Sequence, residues 1–168
     1  MNKSSEVATG GVLTALAVVI MTLSNVFTTL SYTLAIAAGL CVMVALVELG
    51  RRGAWLVFAA SAILAGILVA SKENVVLYVG LFGYYPILKS MIEKIDRPRL
   101  EWGIKLLVAN GAFAAMAAVL WYVLRIPMEG GIYFAVLLWL LANGCLVLYD
   151  KVLALATQQY IHRFKKRG

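Results

Sequence analysis

The stretch VATGGVLTALAVVIMTLSNVFTTLSYTLAIAAGLCVMVALVELG, residues 7–50, carries a single charged side chain, Glu48. A helix crosses the hydrocarbon core of a bilayer in roughly 20 apolar residues, so this run is too long for one crossing and about right for two. The polar cluster Ser24, Asn25, Thr28, Thr29 and Ser31 supplies the break between them. A cleaved leader is the competing reading, because Ala35-Ile36-Ala37 imitates a small-residue cleavage site. The apolar run ahead of it exceeds the roughly 7–15 residues of a leader core, and its removal would leave an odd number of spans. The segment therefore reads as two membrane helices.

Working outward, the same alternation continues to the end of the chain. Arg51-Arg52-Gly53, Ser71-Lys72-Glu73-Asn74, the charged segment 93–101 and the turn-forming segment 125–131 separate further apolar runs. The expected spans are 7–28, 31–50, 54–70, 75–92, 104–124 and 132–149, with 150–168 as a basic tail. The fold expected is all-α: one domain, a compact bundle of six transmembrane helices. Composition agrees, since 63% of the 168 residues are hydrophobic and 14% charged, against about 45–50% and about 25% in soluble domains. Cys41 and Cys145 lie within apolar runs, where cysteine behaves as a small hydrophobe.

Orientation follows from the retention of positive charge on the cytoplasmic side. With both termini inside, only Lys72 and Arg125 of the 15 Lys and Arg residues fall on the outer side. The net charge of +7 is then a topological bias, with anionic membrane lipid as a partner for the basic tail. Nucleic acid is not expected as a partner, and the location expected is the cytoplasmic membrane.

Small residues four apart allow helices to approach closely in lipid. Gly11 and Ala15 do so on the first helix, Ala62 and Gly66 on the third, and Ala114 and Ala118 on the fifth. Each pair suits either internal packing or a partner helix. The fourth span is irregular, with Gly80, Gly83 and Pro86 close together. At 100° per residue Asn74, Tyr78, Tyr85 and Lys89 fall within about 60° of one another and form one polar stripe facing the bundle interior. Two readings stand for it: a ligand-binding wall, or interfacial tyrosines with a lysine that snorkels to the membrane edge. Trp139, Asn143 and Asp150 share a face of the sixth span, and Asn110 and Trp121 align on the fifth. These asparagines need polar partners, from a neighbouring helix or from a bound molecule. Asp150-Lys151 reads as a charge pair at the membrane edge. The single histidine, His162, lies in the basic tail, and no catalytic, phosphate-binding or metal-ligating motif is present. No enzymatic activity, metal or cofactor is expected.

Six spans, cytoplasmic termini, an opening helix with Gly10-Gly11-Val12-Leu13-Thr14-Ala15-Leu16-Ala17 and the lack of an ATP-binding motif resemble the substrate-binding S-components of energy-coupling factor transporters. In that family an Ala-x-x-x-Ala motif on the first helix docks on a membrane coupling subunit, and Gly11-x-x-x-Ala15 matches it with glycine in the first place. The resemblance implies a small-molecule ligand in the outer half, contacted by Asn74, Tyr78, Trp121, Trp139 and Asn143. It also implies a coupling subunit and ATPases in trans. Tyr85 joins the ligand residues through the polar stripe. The first outer loop, around Ser24 to Ser31, is shorter than the lid the family often uses. The alternative expectation is a membrane scaffold for envelope assembly, similar to the MreD family.

Overall fold

Leu13, Ala17 and Met21 recur at helical spacing, and with Thr14 and Val18 they form the buried stripe of α1, Lys3–Thr22. The Thr14 hydroxyl donates to the Gly10 carbonyl at 2.8 Å, which makes a polar side chain tolerable on that stripe. The computed structural model describes residues 3–95, 97–123 and 132–165, and all regular structure among them is helical.

Two short turns, Leu23–Asn25 and Thr28–Leu30, lead from α1 into α2, Ser31–Leu68. Its 38 residues laid out straight would measure about 57 Å. They do not run straight, because Gly50 adopts φ 72° and ψ −174°, a conformation that a side chain would oppose. The two arms, residues 31–49 and 51–68, fold back on one another at this glycine. A Cβ placed on Gly10 would lie 3.5 Å from Leu49 and 3.8 Å from Val57, one residue from each arm. At the other end of α1 the Asn25 side chain accepts from the Ala70 backbone N–H at 2.9 Å. The second arm thus runs alongside α1 in the same direction. The expected spans 31–50 and 54–70 correspond to these arms. The expected boundary at Arg51-Arg52-Gly53 is helical, because one left-handed glycine makes the reversal.

The next apolar run forms a rod in three pieces: α3, Lys72–Leu77; a widened turn, Tyr78–Phe82; and α4, Tyr85–Ile92. The Gly83 N–H closes the widened turn on the Tyr78 carbonyl at 2.7 Å. Pro86 sits in the first turn of α4, where its missing N–H breaks no helical bond. Half of the rod is buried, against 18% and 22% of the outer segments Arg99–Val123 and Val136–Arg163, so the rod is the centre of the molecule. Those outer segments contain α5, Pro98–Ala118, and α6, Ile132–Tyr160. The first arm of α2, the rod and α6 meet at Gly39. There a Cβ would lie 2.5 Å from the Phe82 carbonyl oxygen, and Tyr149 donates to that same oxygen at 2.9 Å.

Among the described residues, five segments are long and apolar enough to cross a membrane: Lys3–Asn25, Ser31–Leu68, Lys72–Ile92, Arg99–Val123 and Val136–Arg163. α6 runs past the expected boundary at 149 and buries Leu153 beyond it. The expected loop 125–131, the end of the fifth span at 124 and the last three residues of the tail lie outside the described residues.

Candidate functional site

The polar stripe of the rod is buried as its spacing predicts: Asn74, Tyr78, Tyr85 and Lys89 all face inward. Three of the four have partners. The Tyr78 hydroxyl shares a hydrogen bond of 2.7 Å with the Ser61 hydroxyl on the second arm of α2. Tyr85 donates to Asp150 Oδ1 at 2.9 Å, and Lys89 is held by carboxylates. Asn74 is 1% exposed, and neither its Oδ1 nor its Nδ2 has a hydrogen-bond partner. The antiparallel register that pairs Tyr78 with Ser61 sets Asn74, one turn earlier, level with Ala65, which offers no polar side chain. A buried amide without partners costs on the order of 1–3 kcal/mol.

On the outer helices the asparagines answer each other. Asn110 Nδ2 donates to Asn143 Oδ1 at 3.2 Å, and Trp139 Nε1 donates to Asn110 Oδ1 at 2.6 Å. Asn143 Nδ2 donates to the Trp139 carbonyl at 2.9 Å. This triangle ties α5 to α6 without any bound molecule. Trp121 and Trp139 are half exposed. A cavity of about 440 Å³ between the rod and α5 is lined by apolar side chains, among them Val76, Val79, Ala115 and Met116, with Tyr84 at its edge. None of the expected ligand residues lines it. Asn143→Leu should therefore cost little, because Asn110 keeps its bonds to Trp139 and to the Leu106 carbonyl. A loss of about 0.6–1.7 kcal/mol is expected, the range for polar contacts between membrane helices. Thermal unfolding in detergent measures it, and a collapse of the fold would refute this account of the triangle.

A cluster of charges near the other end of the bundle escaped the reading of the sequence. Asp150 Oδ1 lies 2.7 Å from Lys89 Nζ and 3.1 Å from Lys105 Nζ. Lys89 also pairs with Glu93 at 2.8 Å, and Lys105 with Glu101 at 2.7 Å and Glu93 at 3.3 Å. The Trp102 ring lies 5.2 Å from the Lys105 ammonium, within range of a cation–π contact. Lys89, Lys105 and Asp150 are all buried. One expectation is corrected by this arrangement. Asp150 is a buried hub joining α4, α5 and α6 rather than a charge pair with Lys151 at an edge. Lys89 turns inward to it, as expected of a stripe facing the bundle interior, and the alternative of a snorkelling lysine falls. Lysines set within two apolar runs and an aspartate at the end of a third were the available signal.

The small residues of α1 stand differently. Gly11 and Ala15 are exposed, and a Cβ on Gly11 would meet nothing within 4 Å. Both line an open groove of about 690 Å³ between α1 and the second arm of α2. Leu56, Ala60 and Leu64 form its opposite wall, and Glu6 and Arg52 stand at one end. The pair on α5, Ala114 and Ala118, is also exposed.

Among the described residues, fold and site together form an all-helical bundle with five apolar segments of membrane-crossing length, a buried charge hub and an open groove of small residues on α1. No protein-family model, curated protein or solved structure matches the chain.

Proposed function

We propose that this chain is a six-span protein of the cytoplasmic membrane with both termini inside. In this reading it is the solute-binding subunit of an ATP-driven uptake transporter, and it docks on a membrane coupling subunit through α1. The two arms of α2 support the count of six, because each is long enough to cross most of a hydrocarbon core. The distribution of Lys and Arg supports the orientation. The observation that carries the functional reading is the open groove on α1. Gly11 and Ala15 are not consumed by the chain's own packing, and small residues left open on a membrane helix are suited to a partner helix. The chain supplies no energy itself, so the ATPases act in trans. The test is copurification from the native membrane: a coupling subunit with two ATPases is the expected result, and envelope-synthesis enzymes in its place would sink it.

The ligand half of the reading rests on Asn74. Its amide presents a donor pair and an acceptor within the fold, and a small polar solute carrying the complementary edge would satisfy both. Tyr78, one turn away, supplies an aromatic wall, while Tyr85, Trp139 and Asn143 have partners within the chain and Trp121 is half exposed, so the contacts of this proposal narrow to Asn74 and Tyr78. Asn74→Leu should then raise the melting temperature of the solute-free protein, because an unmet polar demand is removed. It should also abolish any stabilisation by solutes in a thermal-shift screen of vitamins, nucleobases and amino acids. A leucine variant that melts earlier, with no solute shifting the parent protein, would favour the scaffold. The mutual satisfaction of Asn110, Asn143 and Trp139 speaks for that second reading, in which the groove holds an envelope-assembly partner and no solute is bound.

A further inference from the structure

The reversal at Gly50 leaves a pocket of about 460 Å³ lined by Leu49, Arg51, Arg52, Trp55 and Met91. Both arginines are exposed, and among the described residues neither takes part in an ion pair. The carboxylate nearest in sequence, Glu48, is engaged by a hydrogen bond from Tyr160. Trp55 packs edge-on against Phe58 with ring centroids 5.7 Å apart, which fixes the indole beside the arginines. Met91 closes the pocket from the end of α4. Glu6 stands with Arg52 at the end of the neighbouring α1 groove, but no carboxylate lines this pocket, so its two guanidinium groups are set against an apolar lip. Guanidinium binds phosphate oxygens through two parallel hydrogen bonds. A free phosphate would use the arginines alone, whereas a molecule with a phosphate head and an apolar body would use the lip as well.

We propose that this pocket binds the phosphodiester headgroup of an anionic glycerophospholipid, with Arg51 and Arg52 on the phosphate and Leu49, Trp55 and Met91 against the first carbons of its chains. The proposal rests on the bilayer reading above for the depth of the pocket, and is independent of transport. Native mass spectrometry of the full chain released from detergent tests it, with palmitoyl-oleoyl phosphatidylglycerol and phosphatidylcholine supplied in equal amounts. The parent protein should retain phosphatidylglycerol preferentially. Arg51→Gln with Arg52→Gln should reduce that preference roughly ten- to thirtyfold, the effect of two basic groups near an anionic surface. Arg163→Gln, which removes a charge from the basic tail outside the lining of the pocket, should leave it intact. Arg51→Lys with Arg52→Lys keeps the charge but loses the planar fork, so a severalfold drop is expected. That pair decides the matter if the glutamine pair does not fold. Unchanged preference in either pair, or an equal loss in Arg163→Gln, overturns the site. Displacement of the lipid by millimolar inorganic phosphate assigns the pocket to a free anion and overturns the headgroup. A chain that stays monodisperse without detergent would instead overturn the bilayer reading, whereas a detergent-dependent chain with no lipid preference overturns the pocket alone.

Discussion

Asp150→Leu should destabilise the bundle by about 2–4 kcal/mol, the largest effect expected of any single side chain in the charge hub. Removing one partner of a buried ion pair typically costs about 3–5 kcal/mol, because the other charge is left uncompensated. Here the loss is moderated: Lys89 keeps Glu93 at 2.8 Å and Lys105 keeps Glu101 at 2.7 Å. Glu93 is 44% exposed, however, so solvent screens its hold on the ammonium groups. Tyr85 loses its acceptor at the same time. Asp150→Asn should cost less, because the amide oxygen still accepts from Tyr85. Replacing Lys89 and Lys105 by Met in the Asp150→Leu background should recover most of the lost stability, since an apolar set of similar volume often equals a buried ion pair. Thermal unfolding of the four proteins in one detergent gives the comparison. If Asp150→Leu melts with the parent protein, the hub does not bear on stability; if the triple replacement melts lower still, the hub contributes more than the removal of unpaired charge explains.

The hub also marks where reading the chain in one dimension stopped. The apolar segments were legible because each is a continuous run bounded by charges, and the inward face of the rod was legible because Asn74, Tyr78, Tyr85 and Lys89 recur at helical spacing. Periodicity names a face but not the residue opposite it. Lys89 and Asp150 lie 61 positions apart, and nothing local to either shows that the other waits inside the bundle. For a lysine beside a charged loop, snorkelling therefore stood as a second reading beside an inward stripe. Gly50 posed a similar difficulty. Placed at the end of the span 31–50, it gave no sign of a turn and the boundary fell on Arg51-Arg52-Gly53, whereas its left-handed backbone lets two helices meet with no loop at all. The asparagines were recognised as needing partners, but whether those partners were a ligand or each other depended on how α5 and α6 are rotated. Asn110 and Asn143 face one another, while the amide of Asn74, in the rod, has no hydrogen-bond partner. The small pairs carried the same ambiguity. Spacing alone could not tell Gly11 and Ala15, which stand open, from glycines such as Gly39, where Phe82 and Tyr149 already occupy the space a side chain would need.

That openness gives the sharpest test of docking. Ala15→Trp should abolish association with the partner while the isolated protein keeps its melting temperature within a few degrees. The reason is where the indole goes. Ala15 faces the groove between α1 and the second arm of α2, so the new ring extends into space the chain does not use and disturbs none of the buried stripe of Leu13, Ala17 and Met21. A partner helix meets that ring first. Association of membrane helices depends on close backbone contact over small residues, and a bulky side chain at the contact removes it, so a loss of affinity of about a hundredfold or more is expected, equivalent to about 2.8 kcal/mol. Gly11→Leu should act in the same direction, because a Cβ there meets nothing within 4 Å. Gly10→Trp provides the contrast. Its side chain would be driven toward Leu49 and Val57, already 3.5 and 3.8 Å from the position of a Cβ, so this variant should lose stability as well as docking. Copurification of each variant with its membrane partner, beside thermal unfolding of the isolated chain, separates the outcomes. Full complex recovery with Ala15→Trp would sink the groove as a docking surface, and loss of folding in that variant would mean that the groove belongs to the chain's own packing.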